Sequence, residues 1–379
     1  MKVNISDEIE QKAELRLKEL LGEAVLLGPI SDTIDPEIPP KWFDKALFEK
    51  GQHLAQKYYI RLISILIGLN TNHYILFKLN VKHVYSLNVA HLAGLMLGIQ
   101  LPLALVPLLS TGRSKTVSRL FKRYQSTQLR VKIWYEEDPF DKNSKAFHSF
   151  RAVRAMHGSV CDKMNKGERR EFGKDRVWIS QCEMAMTLWA FMGLLILYPK
   201  ECGLHRARRD HFEAFIHMWR VFAYTNGIAD RFNICSGNFE ETYALFQLIL
   251  NKVFKPLVIR CPDEVGIEMS KGIVKALRPI TPTLRWQVFM TYWYNILDIP
   301  NEIQLSDWKK RIRFREQKFI LANLLKYSTF HWLLGNLLKL NIKYQNYKKK
   351  RVQKNMECKY ADIIYEAKCV YNLDSLKQE

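Results

Sequence analysis

Glycine and proline are scarce, 17 and 13 residues in a chain of 379, which excludes a collagenous chain and argues against a turn-rich all-β fold. The seven cysteines form no Cys-x-x-Cys pair, so zinc-finger spacing is missing. An odd number without metal-ligand spacing points to reduced, buried thiols rather than a disulfide framework. Nor does the sequence contain G-x-G-x-x-G, G-x-x-x-x-G-K-[ST], H-E-x-x-H or G-x-S-x-G, which disfavours nucleotide-dependent, zinc-protease and triad-type enzymes. The first residues, MKVNISDEIEQKAELRLKELLGEA, are charged and helical in period. They have neither the apolar core of a signal peptide nor the acid-poor composition of a transit peptide. The expectation is an intracellular protein, either cytoplasmic or associated with the endoplasmic reticulum membrane.

What is present is a packed-protein composition, 48% hydrophobic and 12% aromatic, with a formal net charge of +20. Such a surface attracts polyanions, nucleic acid or anionic lipid. Seven basic residues and no acidic one lie between Arg113 and Lys132, and a second basic block runs from Lys343 to Lys354. A solvated face is the plain reading of both, with an anionic membrane surface as a partner of the first. No RNA- or DNA-binding signature accompanies the charge, which argues against nucleic acid.

Period-3.6 apolar patterns predict helices over roughly 117–135, 146–165, 177–198, 208–228, 239–255, 264–277, 281–297, 305–325 and 328–350. Loops rich in Gly, Pro, Asn and Asp separate them. An N-terminal helix covers 1–22, a Pro-rich lead-in follows, and helix resumes from Phe43 into the apolar run Tyr58–Leu69. The chain therefore reads as all-α: a lead-in (1–42), one large helical domain (43–342) and a basic tail (343–379). From His83 to Gly112 no residue carries a formal charge. Its core, 84–109, is long enough as a single helix to reach across a bilayer. Its polar residues and two prolines equally suit a buried helix pair.

Three segments carry candidate chemistry. In DHFEAFIHMWRVFAY, Glu213, His217, Arg220 and Tyr224 share an arc about 60° wide, and every other residue from 214 to 223 is apolar. That is a buried helix with one narrow polar stripe, either an internal network or the wall of a site. In FHSFRAVRAMHGSVC, Arg154, His157 and Cys161 again fall on one face, and Arg151 with Arg154 suits an anionic group such as a propionate. In WISQCEMAMTLWAFM, Glu183 and Thr187 stand one turn apart beside an apolar stripe.

RAVRAMHGSV, ISQCEMAMT and HFEAFIHMWRVFAYTNGIADRFNIC, in that order, resemble the MPAB/rubber-oxygenase catalytic domain in its animal form. That family includes the latex-clearing proteins. The resemblance covers about residues 80–260 and implies an all-helical domain around haem b, with O₂-dependent cleavage of double bonds in a hydrophobic, isoprenoid-like substrate. The rubber enzymes present Arg-x-x-Lys-Thr to one side of the haem and a later histidine to the other. Arg154-Ala-Met-His157-Gly158 matches the first, with His157 at the Lys position. The later histidine is not matched, since no His lies between His157 and His205. If haem is bound as the resemblance implies, His217 on the narrow polar stripe is the first candidate iron ligand and His157 the second. Arg154 and Arg220 would be distal or propionate partners, Glu213 a base or orienting group, and Arg151 and Tyr224 further cofactor contacts. The alternative is a non-catalytic, membrane-associated lipid-binding or scaffold protein that docks through 84–109 and 113–132.

Overall fold

The computed structural model describes residues 3–29, 35–55, 84–166, 176–260 and 263–366. One expectation lies outside the described residues, the apolar run Tyr58–Leu69. Fourteen helices order the described chain: α1 (Asp7–Gly22), α2 (Lys45–Ala55), α3 (Val84–Gly98), α4 (Pro102–Ser110), α5 (Val117–Glu136), α6 (Lys145–Asn165), α7 (Gln181–Leu197), α8 (Arg209–Thr225), α9 (Phe239–Arg260, with a π turn at Leu250–Phe254), α10 (Glu264–Leu277), α11 (Trp286–Ile296), α12 (Trp308–Ala322), α13 (Ser328–Tyr347) and α14 (Lys349–Lys359). Among the described residues there is no strand, only a bridge between Thr116 and Ile364.

The helices begin where side chains can replace the missing intrahelical acceptors. Thr116, Ser144, Ser180 and Asp263 each accept a backbone N–H of the first turn, and Asn238 forms a reciprocal capping box with Glu241. α8 ends in a Schellman turn: Gly227 N donates to Tyr224 O and Ile228 N to Ala223 O. Gly227 sits at φ +94°, and a Cβ there would lie 2.2 Å from Pro29 O, so both conformation and space require glycine.

The charge-free stretch 84–109 does not run as one helix. It turns at Ile99–Leu101, leaving α3 with 15 residues, a length of about 22 Å, short of the ~30 Å hydrocarbon core. α3 packs against α7 so closely that a Cβ on Gly94 would lie 2.0 Å from Ala190 O. By length and composition alone, the helix apolar enough to cross a bilayer among the described residues is Phe239–Arg260, and half of that window is buried. α7 and α8 form the centre of the core, with Trp189, Phe215 and Phe222 fully buried. The tail boundary expected at 343 falls inside α13. Beyond it, α14 returns to α5, where Ser118 Oγ donates to Glu357 and Met356 is buried. Four cysteines (161, 182, 202 and 235) are buried free thiols.

Candidate functional site

The narrow polar stripe of α8 is covered by the lead-in. Residues 35–44 lie along it, and Trp42 occupies its middle, edge-on to His217 and Tyr224 at 5.9 and 5.7 Å. The Arg220 guanidinium stacks 3.8 Å above the Trp42 ring and binds Asp230 through two hydrogen bonds of 3.0 and 2.7 Å. His217 Nε2 accepts from Asp44 N at 3.1 Å, and its ring stacks on Phe43. Burial lowers the His217 pKa, keeping it the neutral acceptor this bond requires. The Tyr224 hydroxyl donates to Asp35 O at 2.9 Å. Glu213 pairs with Arg209 at the exposed end of α8.

The arginines of α6 hold the same segment. Arg154 donates to Thr225 O and to Glu37, each at 3.0 Å, and Arg151 pairs with the same Glu37 oxygen. Arg151, Arg154, His217, Arg220 and Tyr224 are therefore brought together by a stretch of this chain, residues 35–44. His157 stands apart from them. Burial, and then Arg123, push its pKa down to about 4, and its Nδ1 has no hydrogen-bond partner.

A cavity of about 540 Å³ lies elsewhere, walled by α3, α5, α7 and the helices from α10 to α13. Its wall is mostly apolar, with Leu92, Leu95, Phe191, Leu284, Val288 and Phe289 among the lining residues. His91, Tyr124, Gln128 and Gln317 are among its polar members. His91 Nε2, Tyr124 Oη, Gln128 Oε1 and Gln317 Nε2 are all buried without a hydrogen-bond partner. Buried polar atoms in native proteins are nearly always paired, so unpaired groups such as these on one wall suit a ligand or ordered water. The His91 ring lies 5.1 Å from Phe191 and 5.5 Å from Trp219. Burial drives its pKa down to about 3, so it is a neutral imidazole at any physiological pH.

Among the described residues on the wall, none of the stripe or α6 residues singled out from the sequence appears. α5 stands between His157 and the cavity. Its Tyr124, Thr127, Gln128 and Val131 line the space, whereas Arg130 and Trp134 both hydrogen-bond Ser149 of α6, at 3.2 and 3.0 Å. Thr187 does reach the cavity. Glu183 turns back instead, accepting from Ile179 N at 2.5 Å at the start of α7, and burial raises its pKa to about 8. The residue that sequence reasoning passed over is His91. Its signal was a lone histidine in the middle of the charge-free run, where an imidazole is buried by default.

No protein-family profile and no curated protein sequence matches the chain. Among solved structures, the latex clearing protein LCP in its closed state superposes with a TM-score of 0.55, over 88% of this chain and 88% of that one, at 12% sequence identity. The described chain has the all-helical fold of the latex clearing protein.

Proposed function

We propose that the protein is an oxidoreductase of the oxygenase type, which admits O₂ and a hydrophobic, isoprenoid-like substrate to the cavity beside a b-type haem. The observation that carries this reading is the cavity, about 540 Å³ with an apolar wall and a buried, unpartnered imidazole. It lies in a chain with the latex clearing protein fold. The volume falls within the ~300–1,000 Å³ of small-molecule sites.

The residues present suit haem in kind. Iron takes a neutral imidazole nitrogen, and His91 is buried, neutral and free at Nε2. His91 is the residue that would hold the group in this space. Of the ligands implied by the resemblance, His157 keeps an unpartnered Nδ1, whereas His217 would first have to release Asp44 N. The cofactor, when bound, supplies activation of O₂. The chain's own residues do the rest. Phe191, Leu284 and Phe289 exclude water and hold an apolar chain. The Tyr124 hydroxyl, whose pKa burial raises to about 12, stays protonated and can donate a hydrogen bond into the site.

Purified protein reconstituted with haemin is expected to show a Soret band that H91A abolishes or shifts and H217A leaves in place. Protein that stays colourless after reconstitution defeats the proposal. One observation favours a second reading, a non-catalytic lipid-binding protein. The described residues of the wall include no nucleophile–base pair, and four of its charged members pair with each other, Lys132 with Glu136 and Arg313 with Glu316. Lipid extracted from a haem-free preparation, seated in the cavity, decides for that reading.

A further inference from the structure

The surface formed by α12 and α13 breaks the rule that a protein face in water carries only scattered apolar groups. Among the described residues, ten of the seventeen exposed large hydrophobic side chains fall between Trp308 and Tyr347. Six of the ten are aromatic, including Trp308 at 62% and Tyr347 at 87% exposure. On α13, Leu333, Leu337, Leu340, Tyr344 and Tyr347 fall within an arc about 80° wide, so they form one stripe rather than a scatter. The same stretch is strongly basic. From Trp308 to Lys350 there are twelve Lys and Arg against the single acid Glu316, a local balance of +11 in a chain whose whole net charge is +20.

The two helices also wall the cavity. Arg313, Gln317 and Ile320 of α12 and Leu338 and Ile342 of α13 line it, while Phe319 both lines it and is 54% exposed, which places Phe319 at the rim.

We infer that the outer face of α12 and α13 is a docking surface for an anionic phospholipid bilayer, and that it seats the mouth of the cavity on the membrane. Amphipathic aromatic rings favour the bilayer–water interface, leucines enter the acyl boundary, and Lys and Arg meet anionic headgroups. Nucleic acid would satisfy the charge but leave the leucine stripe in water, because phosphate binding uses no aliphatic surface. A second copy of the chain would cover the stripe but set +11 against +11 across a self-complementary interface. An anionic bilayer matches both features at once. The inference concerns this surface alone and holds whatever chemistry the cavity performs.

The full-length protein is tested by flotation with phosphatidylcholine vesicles and with vesicles containing about one-third phosphatidylserine, a composition chosen for its negative surface potential. Binding to the anionic vesicles is expected to exceed binding to neutral ones at least tenfold and to weaken as salt is raised. Substituting Trp308, Leu337, Leu340 and Tyr344 by Ser, all more than half exposed, is expected to cut binding at least tenfold with the helical circular dichroism spectrum retained. A second variant, Lys309→Glu with Arg311→Glu and Arg315→Glu, is expected to remove the preference for anionic lipid. Three results overturn the inference: no vesicle binding by the parent protein, variants that bind as the parent does, or binding lost only when Arg119 and Lys122 of the α5 basic run are replaced by Gln. RNA binding without vesicle binding overturns it as well.

Discussion

Replacing His91 by Phe tests whether the imidazole of the cavity is held neutral. Phe keeps the ring contacts with Phe191 and Trp219 and removes the titrating group. The His91 pKa is about 3 in the folded protein against 6.5 unfolded, so between those values the unfolded chain binds the extra proton. Stability from this group is then fully present above pH 6.5 and is lost as pH falls through the window toward 3. Each pH unit inside the window is worth ~1.4 kcal/mol. At pH 4.5 the two units below 6.5 amount to about 3 kcal/mol of destabilisation in the parent that H91F does not suffer. Urea unfolding of haem-free protein, followed by tryptophan fluorescence at pH 7.5 and pH 4.5, measures both. The variant is expected to match the parent within ~1 kcal/mol at the higher pH and to exceed it by about 2–3 kcal/mol at the lower. A gap of equal size at both values would refute the reasoning, because it would show that His91 protonates freely in the folded protein.

Two further substitutions probe the packing around the stripe and the cavity. Arg220→Met removes a bidentate ion pair and a stacked cation and is expected to cost about 2 kcal/mol in the same urea assay. Combined with Trp42→Ala it should show a coupling of about 1 kcal/mol; additive costs would mean that the two side chains do not stabilise each other. Gly94→Ala forces a methyl group against the Ala190 carbonyl and should cost about 1–3 kcal/mol. Gly22→Ala, with nothing within 4 Å of the new Cβ, is neutral or stabilising by up to ~1 kcal/mol. Equal effects at the two glycines would show that α3 and α7 are not in backbone contact.

The helices were legible because their signals are local. Expected spans such as 117–135, 146–165 and 264–277 coincide with α5, α6 and α10 to within a residue or so, since period-3.6 burial and N-terminal capping residues both lie inside each segment. In the N-terminal helix, Leu17 and Leu20 are buried while Leu15 and Leu21 stay exposed. The role of the lead-in was not legible, because it acts at a distance. Asp44 meets His217 across 173 positions, and Tyr224 meets Asp35 across 189. The cavity is assembled from residues as far apart as Ala55 and Ile342, and no local pattern encodes that enclosure.

A narrow polar stripe on an otherwise apolar helix has two physical solutions, a ligand or another stretch of the same chain, and the sequence of α8 is compatible with both. What separates them is whether each polar group has found a partner. On α8 they have: His217 accepts from Asp44, Arg220 is held between Asp230 and Trp42, and Tyr224 donates to Asp35. Around the cavity they have not, and the atoms left over include an imidazole nitrogen, a phenol hydroxyl and two amide groups. Unmet hydrogen bonding is costly in a low-dielectric interior, so the unpaired groups on this apolar wall suit a guest that can meet them. The same criterion, applied with the opposite sign, holds on the outside of the wall. There α12 and α13 leave apolar groups in water that a folded chain ordinarily buries. A membrane on the outer face and a lipophilic guest on the inner one would satisfy both at once, and the rim residue Phe319 belongs to both surfaces.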